Sequence, residues 1–308
     1  MRAVRSSLAL LLPSVLAACS SADSARLGDF KLESGGVIRD CRVTYRTRGR
    51  LNADRSNAVL VVPWFQGTSV ELVLQVGPGK LVDTSKYFVI LADSLGNGSA
   101  SSPSNSAAQP GAAFPVFTMR DIVESQYRLV TETLGLRHLH AIVGISMGGM
   151  QVFEWTVAHP GFMTKAVSIV GSPRTQPDDV ERWNEVVRWL GNSAWSRTRS
   201  RLTELKPRSA LVEMRLQAEN QRRQIHAIVG HDISRGFGGS MDRTAAALRA
   251  ELLVVGTLAD REVNNRPAFE LARLARAEVL ELDGRCGHQA PSCERATLWP
   301  AMSRFLGR

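Results

Sequence analysis

The stretch that most constrains this chain is Ala141-Ile142-Val143-Gly144-Ile145-Ser146-Met147-Gly148-Gly149-Met150, where an apolar run breaks on Gly-x-Ser-x-Gly and continues as an amphipathic segment. An apolar run followed by helical spacing reads as a buried strand feeding a helix. The turn between them is too tight for side chains at Gly144 and Gly148. It lifts Ser146 out of the packing on a strained backbone, presents its hydroxyl at a sheet edge, and aims the next helix's N-terminus at whatever binds there. The flanks agree, since 139–143 reads as a strand and 151–159 as a helix that Pro160 stops. The other reading is a Gly-rich turn whose serine merely caps the helix, because short matches of this kind arise by chance.

Elements on either side place that turn in a sheet. Residues 37–47 read as an early strand or hairpin, and 58–62 is a continuous apolar run of the kind buried on both faces and ended by Pro63. Residues 86–92 form another buried run that leads into Asp93-Ser94-Leu95-Gly96-Asn97-Gly98, a Gly-x-Gly too incomplete for a dinucleotide loop. Residues 100–115, rich in Ser, Ala, Pro and Gly, read as a surface loop. A helix follows over 118–134, with Thr118 as cap, Asp121 at the capping-box position and Gly135 as the stop. After a strand at 165–170 the pattern turns helical over 178–190, 199–205 and 209–229. We expect these helices to form a cap over the sheet's carboxyl edge, anchored by Trp183, Trp189 and Trp195 with its charged residues on a solvated face. The strand and helix alternation then resumes, with strands at 250–255 and 277–282 and helices at 265–276 and 292–306. Such alternation predicts an α/β protein with a mostly parallel central sheet covered on both faces. The expected organisation is a core of 30–172 and 244–308 with a helical insertion at 173–243.

The first residues read as an export signal. Arg2 and Arg5 precede an apolar run over 8–16 and then Leu16-Ala17-Ala18-Cys19, which has the charged, apolar and small-residue regions of a signal peptide at 1–18. Leu-Ala-Ala-Cys looks like a bacterial lipobox, so Cys19 is expected to carry lipid on a tether over 19–29 and to hold the protein on the periplasmic side of the envelope. An ordinary cleaved signal is the other reading. Formal charge is +9, and aromatic residues make up only 6% of the chain. Nucleic-acid binding calls for basic residues interleaved with stacking aromatics, so no nucleic-acid partner is expected. In an oxidising compartment Cys286 and Cys293 would close a loop around His288, leaving Cys41 buried and unpaired. No Cys-x-x-Cys pair or His-Glu-x-x-His helix is present, so neither a metal nor a cofactor is expected.

A serine hydroxyl becomes nucleophilic at neutral pH when a histidine takes its proton and a carboxylate holds that imidazole. In a sheet of this kind the three arrive in the order serine, acid, histidine, with acid and histidine at the ends of late strands. Asp260 and His288 satisfy both conditions, while His138, His140, His159, His226 and His231 follow no late core strand. Asp283 and Asp232 are rival acids, the first five residues before the histidine and the second in the cap. Charge developing on a carbonyl oxygen needs two fixed donors. These are expected to be the backbone N–H of Met147 and that of Phe65, with Trp64 the neighbouring alternative.

The whole mature sequence resembles the α/β-hydrolase fold. Its homoserine O-acetyltransferase-like branch is resembled by Ser94-Leu95-Gly96 with the loop after it, by residues 144–151 with Glu154-Trp155 and Pro160, and by Cys286-Gly287-His288. The resemblance implies Ser146 as nucleophile, Asp260 as acid, His288 as base and Phe65 at the oxyanion position. Acetyltransferases of that branch carry an aspartate directly after the histidine, where this chain has Gln289, and a different oxyanion stretch in place of Pro63-Trp64-Phe65-Gln66-Gly67. The expected activity is therefore hydrolysis of a small ester through an acyl-enzyme. Acyl transfer is the alternative, and a lipid-anchored binding protein on the same scaffold is the third reading.

Overall fold

The structure, a computed structural model, describes residues 22–191 and 208–308. Cys19, Trp195 and the expected helix at 199–205 lie outside these residues. An eight-stranded sheet runs through the molecule in the order β1-β2-β4-β3-β5-β6-β7-β8. The antiparallel hairpin of β1 (Asp23–Lys31) and β2 (Val37–Arg48) leads through β2 into β4 (Phe88–Ala92). From β4 onward, β3 (Ala58–Val62), β5 (Leu139–Ile145), β6 (Met163–Ile169), β7 (Glu251–Gly256) and β8 (Glu278–Glu281) are parallel. The expected tether over 19–29 is corrected here, because Asp23 pairs with Tyr45 and Phe30 with Ile38 in the ladder. Ala25, Leu27 and Phe30 are buried while their neighbours are exposed. The alternation slips by one residue where the ladder shifts register at Gly28, and it lies among Gly, Asp, Ser and Arg residues that mask it in the sequence.

The uninterrupted apolar runs serve two faces at once. Leu60 and Val62 of β3 enter one core with Ile142 of β5, while Val59 and Val61 enter the other with Ala141 and Val143. Alternation of Cβ direction along a strand requires this once both faces are covered. The first face is covered by α2 (Met119–Arg128), α3 (Met147–Ala158) and α7 (Arg266–Ala275). The second is covered by α1 (Ser69–Leu72) and α9 (Arg295–Gly307), with α8 (Ala290–Cys293) leading into α9.

Thr118 caps α2 in a capping box with Asp121, as its sequence implies. The α-helical part ends at Arg128 and a π-helical turn, Leu129–Thr133, completes the expected span. The loop at 100–115 begins inside the protein and is not simply a surface loop: Ala100, Ser101 and Ser102 are buried, and Phe114 plugs the core. Asn105 Nδ2 holds it by donating to the carbonyls of Gly98 and Ala100 at 2.9 Å each. Between β6 and β7, α4 (Pro177–Gly191) and α5 (Arg208–Val229) pack on each other, and α6 (Met241–Ala247) packs on α7 across the expected boundary at 243. Trp183 is packed against the core, whereas Trp189 is 56% exposed. The charged face of α5 is partly buried as well, for Arg223 donates to the carbonyls of Ala112 and Phe114 and pins the 100–115 loop beneath the helix.

Glu154 of α3 is buried, and burial raises its pKa above the usual carboxylate range despite the hydrogen bond from Arg120. Removing one member of such a pair strands the other. Arg120→Met should therefore destabilise the fold by on the order of 2 kcal/mol, softened by the partial exposure of Arg120. Adding Glu154→Gln should recover most of that loss in urea-unfolding midpoints, and failure to do so would mean the two side chains do not act as a pair.

Candidate active site

Ser146 is the hinge between β5 and α3, with φ 58° and ψ −118°, a conformation disfavoured for a residue with a Cβ. Its N–H donates to the Ile169 carbonyl at 2.8 Å, tying the turn to the end of β6. A Cβ on Gly144 would lie 2.1 Å from the Gly148 carbonyl oxygen, and one on Gly148 would lie 2.5 Å from that of Val62. Both glycines are there because backbone meets backbone.

His288 arrives from the loop after β8. Its Nε2 lies 2.8 Å from Ser146 Oγ, and its Nδ1 lies 2.7 Å from Asp260 Oδ2. A carboxylate accepts, so the proton sits on Nδ1 and Nε2 receives the serine hydroxyl. The Asp260 side chain is fully buried, and its Oδ1 also accepts the N–H groups of Glu262 and Val263 at 2.8 and 3.0 Å. Burial of that carboxyl group is thus compensated by hydrogen bonds from its own loop and from the imidazole. The histidine loop is pinned too. Glu294 accepts the N–H groups of Asp283 and Gly284, and a disulfide joins Cys286 to Cys293. Closing so short a loop contributes on the order of 2 kcal/mol. Cys41 is free and buried, its thiol pushed up to about 12 by desolvation.

The rival carboxylates are engaged elsewhere. Asp283 is exposed and paired with Arg285, and Asp232 accepts from Ser234. Of the other histidines, His138 meets Thr164, His140 meets the Leu306 carbonyl, and His159 stacks on Tyr127. Burial pushes His231 down to about 4, which leaves it neutral 3.6 Å from Glu154.

A cavity of about 400 Å³ opens onto Ser146 and His288. Trp64, Phe65, Trp183, Met150, Ile228 and Trp299 give it an apolar wall, with Phe65 and Trp183 edge to face at 5.1 Å. Among the described residues, Glu262 and His288 are its only ionisable lining groups, and no lysine or arginine reaches it. Met147 and Phe65 both line it. Met147 is the first residue of α3, so its N–H has no carbonyl one turn back within the helix. The neighbouring Gln66 N–H is already taken, donating to Gln224 Oε1 at 2.9 Å.

That contact belongs to a network unseen in the sequence. Gln66 has φ 59°, and its Nε2 reaches Gln224 of α5 and the Gly96 carbonyl, while Gln224 donates to the Leu95 carbonyl. Behind it, buried Asp93 accepts from Thr44, Ser69 and Asn97. Together they fix the 63–69 loop beside the serine. The apolar run ending in Asp93 was the one available signal.

Fold and site together define an α/β protein whose sheet presents a serine, a histidine and a buried aspartate in hydrogen-bonded series, an arrangement able to activate a hydroxyl for attack on a carbonyl. A family model described as alpha/beta hydrolase fold matches residues 67–252, and the chain belongs to that family. An ethyl acetate hydrolase of Pseudomonas veronii is 38% identical over 155 residues, covering 50% of this chain and 44% of that protein. A homoserine O-acetyltransferase of Methanococcoides burtonii is 37% identical over 179 residues, covering 52% and 36%. The chain thus spans less than half the length of these curated relatives. The solved structure of an acetylester hydrolase from Corynebacterium glutamicum superposes with a TM-score of 0.78 at 26% identity, covering 93% of this chain and 95% of that one.

Substituting Gly148 by Ala should destabilise the fold by roughly 3 kcal/mol or more, because the neighbouring atoms are backbone and cannot step aside. Gly236→Ala, where a Cβ meets nothing within 4 Å, is the control and should stay near wild type in thermal melts. Equal melting of the two variants would contradict the close approach.

Proposed function

We propose that this chain is a serine-dependent hydrolase of small esters. The observation that carries the reading is the unbroken hydrogen-bond series from Ser146 Oγ through both nitrogens of His288 to Asp260. In the first half-reaction Ser146 Oγ attacks the ester carbonyl carbon as His288 Nε2 takes the hydroxyl proton. The N–H groups of Met147 and Phe65 hold the oxygen that becomes negative. As the tetrahedral species collapses, the carbon–alkoxide bond breaks, Nε2 returns the proton to the leaving alcohol, and the acyl group remains on Ser146. Water then attacks the acyl-enzyme with His288 again as base, releasing the acid and restoring the serine. Asp260 keeps the imidazole in the tautomer that each step requires.

Cavity size and lining support small uncharged esters, and so do relatives named for ethyl acetate and acetyl ester hydrolysis. Acyl transfer is the second reading, favoured by the acetyltransferase relatives. The two differ in whether water or an alcohol reaches the acyl-enzyme. Gln289 lines the cavity directly after the histidine, where the resemblance to homoserine O-acetyltransferases implies an aspartate in enzymes that transfer to homoserine, and this weighs toward water. Wild type should hydrolyse p-nitrophenyl acetate, Ser146→Ala should not, and Asp260→Asn should lose about 10³-fold or more in kcat. A fluorophosphonate should add to Ser146 in intact-protein and peptide mass spectra. Turnover equal in wild type and Ser146→Ala would remove the proposal, and alcohol acyl transfer outrunning hydrolysis would replace it with the second reading.

We also propose export and lipid attachment at Cys19. The Cys286–Cys293 disulfide supports an oxidising compartment. Full-length protein should sediment with bacterial membranes, and Cys19→Ala should move it to the soluble periplasmic fraction. Recovery of both forms in the cytosol would refute the assignment.

A further inference from the structure

A second cavity, of about 460 Å³, lies on the far side of the substrate cavity's end wall, between α9 and the chain just before β4. The two share two lining residues, Leu81 and Trp299. Leu81 is buried in the core cluster under α9, and Trp299 is half-buried against the same cluster. Leu81 and Trp299 therefore face both the cavity that holds Ser146 and the groove beside it.

The groove's surroundings indicate what would occupy it. Its floor is Leu81, Tyr87, Trp299, Pro300 and Leu306. Three of its polar rim groups are already engaged within the protein. Lys80 Nζ donates to the Leu74 carbonyl at 3.0 Å, Asp83 Oδ1 accepts the Ser85 hydroxyl at 2.6 Å, and Arg295 Nε donates to the Ser292 carbonyl at 2.7 Å. The Arg295 guanidinium also lies 5.9 Å over the Trp299 ring, and Ser292 itself lines the substrate cavity. Ser303 lines it too, but most of its surface is apolar, which suits an aliphatic chain. The wall stands at a weak place in α9. Pro300 has no N–H to give the Ala296 carbonyl, so the helix is one hydrogen bond short at the turn that carries the indole.

We propose that Trp299, backed by Leu81, is a length stop for the substrate, and that the groove behind it is a latent subsite for the aliphatic chain of a longer ester. This rests on the serine hydrolase reading above. Trp299 touches substrate without taking part in bond making, so it sets specificity and leaves the chemical step alone.

The test uses two substrate series on the full chain. One is p-nitrophenyl esters from acetate to octanoate, which lengthen the acyl side. The other is acetate esters from ethyl to octyl, which lengthen the alcohol side. Trp299→Ala should raise the kcat/KM ratio of the longest to the shortest ester by about tenfold or more in the series whose chain points at the wall, within the range expected for reshaping an apolar pocket. Ser146 of the variant should still add a fluorophosphonate, and Trp299→Phe should keep most of the stop. Leu81→Ala opens the same wall from its other side and should shift the ratio in the same direction, so the question remains answerable if Trp299→Ala fails to fold. Unchanged length profiles in both series, from folded variants whose Ser146 still reacts with fluorophosphonate, would overturn the proposal. Absence of Ser146-dependent turnover in the wild type would instead show that the hydrolase reading had failed, and the length stop with it.

Discussion

Everything at the site depends on backbone meeting backbone around Gly144 and Gly148. With no Cβ at either position, α3 seats directly against the ends of β5 and β3, and the chain turns from strand to helix through the one residue between them that projects a functional group. The unfavourable φ of Ser146 is held by the bond from its N–H to Ile169 and by α3 packing along β5 and β6. The sheet thereby stores local strain and converts it into the position of a hydroxyl.

The partners of that hydroxyl are held by loops that brace themselves. Asp260 is fixed by amides two and three residues further on, and the His288 loop is tied by Glu294 and the disulfide. The Asp260 loop also leans on α4, whose Asp179 accepts the Asn264 N–H at 3.2 Å and whose Arg182 donates to the Arg261 carbonyl. Both α4 and α5 shape what surrounds the reacting atoms as well, through Trp183 and Ile228 on the cavity wall and Gln224 on the loop that carries Phe65. Trp299, on α9 of the core, lines the cavity without hydrogen bonding to any of the three residues of the relay.

Much of this was readable from residues alone, for identifiable reasons. Runs such as 58–62 and 141–143 are apolar at every position because both faces of a central parallel strand are covered, and that leaves little room for another interpretation. Thr118 and Asp121 announce a helix start by local hydrogen bonding, which needs no tertiary context. Where the reading went astray, packing had overridden local character. Residues 19–29 read as a polar tether, yet from Asp23 onward the chain pairs along an antiparallel edge. The 100–115 stretch has loop composition, but Phe114 and Arg223 draw it into the core and beneath α5. Trp189 looks like an anchor and faces solvent.

The sequence by itself determined the alternation of strands and helices in the parallel part of the sheet, the strained turn at Ser146, and the residue types available as base and acid, because each follows from periodicity, glycine placement or the position of a residue just past a strand. Only the tertiary structure decided that His288 reaches across 142 residues to Ser146, that Asp260 rather than Asp283 stands behind the ring, and that Gln66 is locked to Gln224. The physical reason is that these contacts join loops remote in the chain. Their distances are set by the twist and spacing of the sheet beneath them, and neither quantity is written in any local stretch of residues.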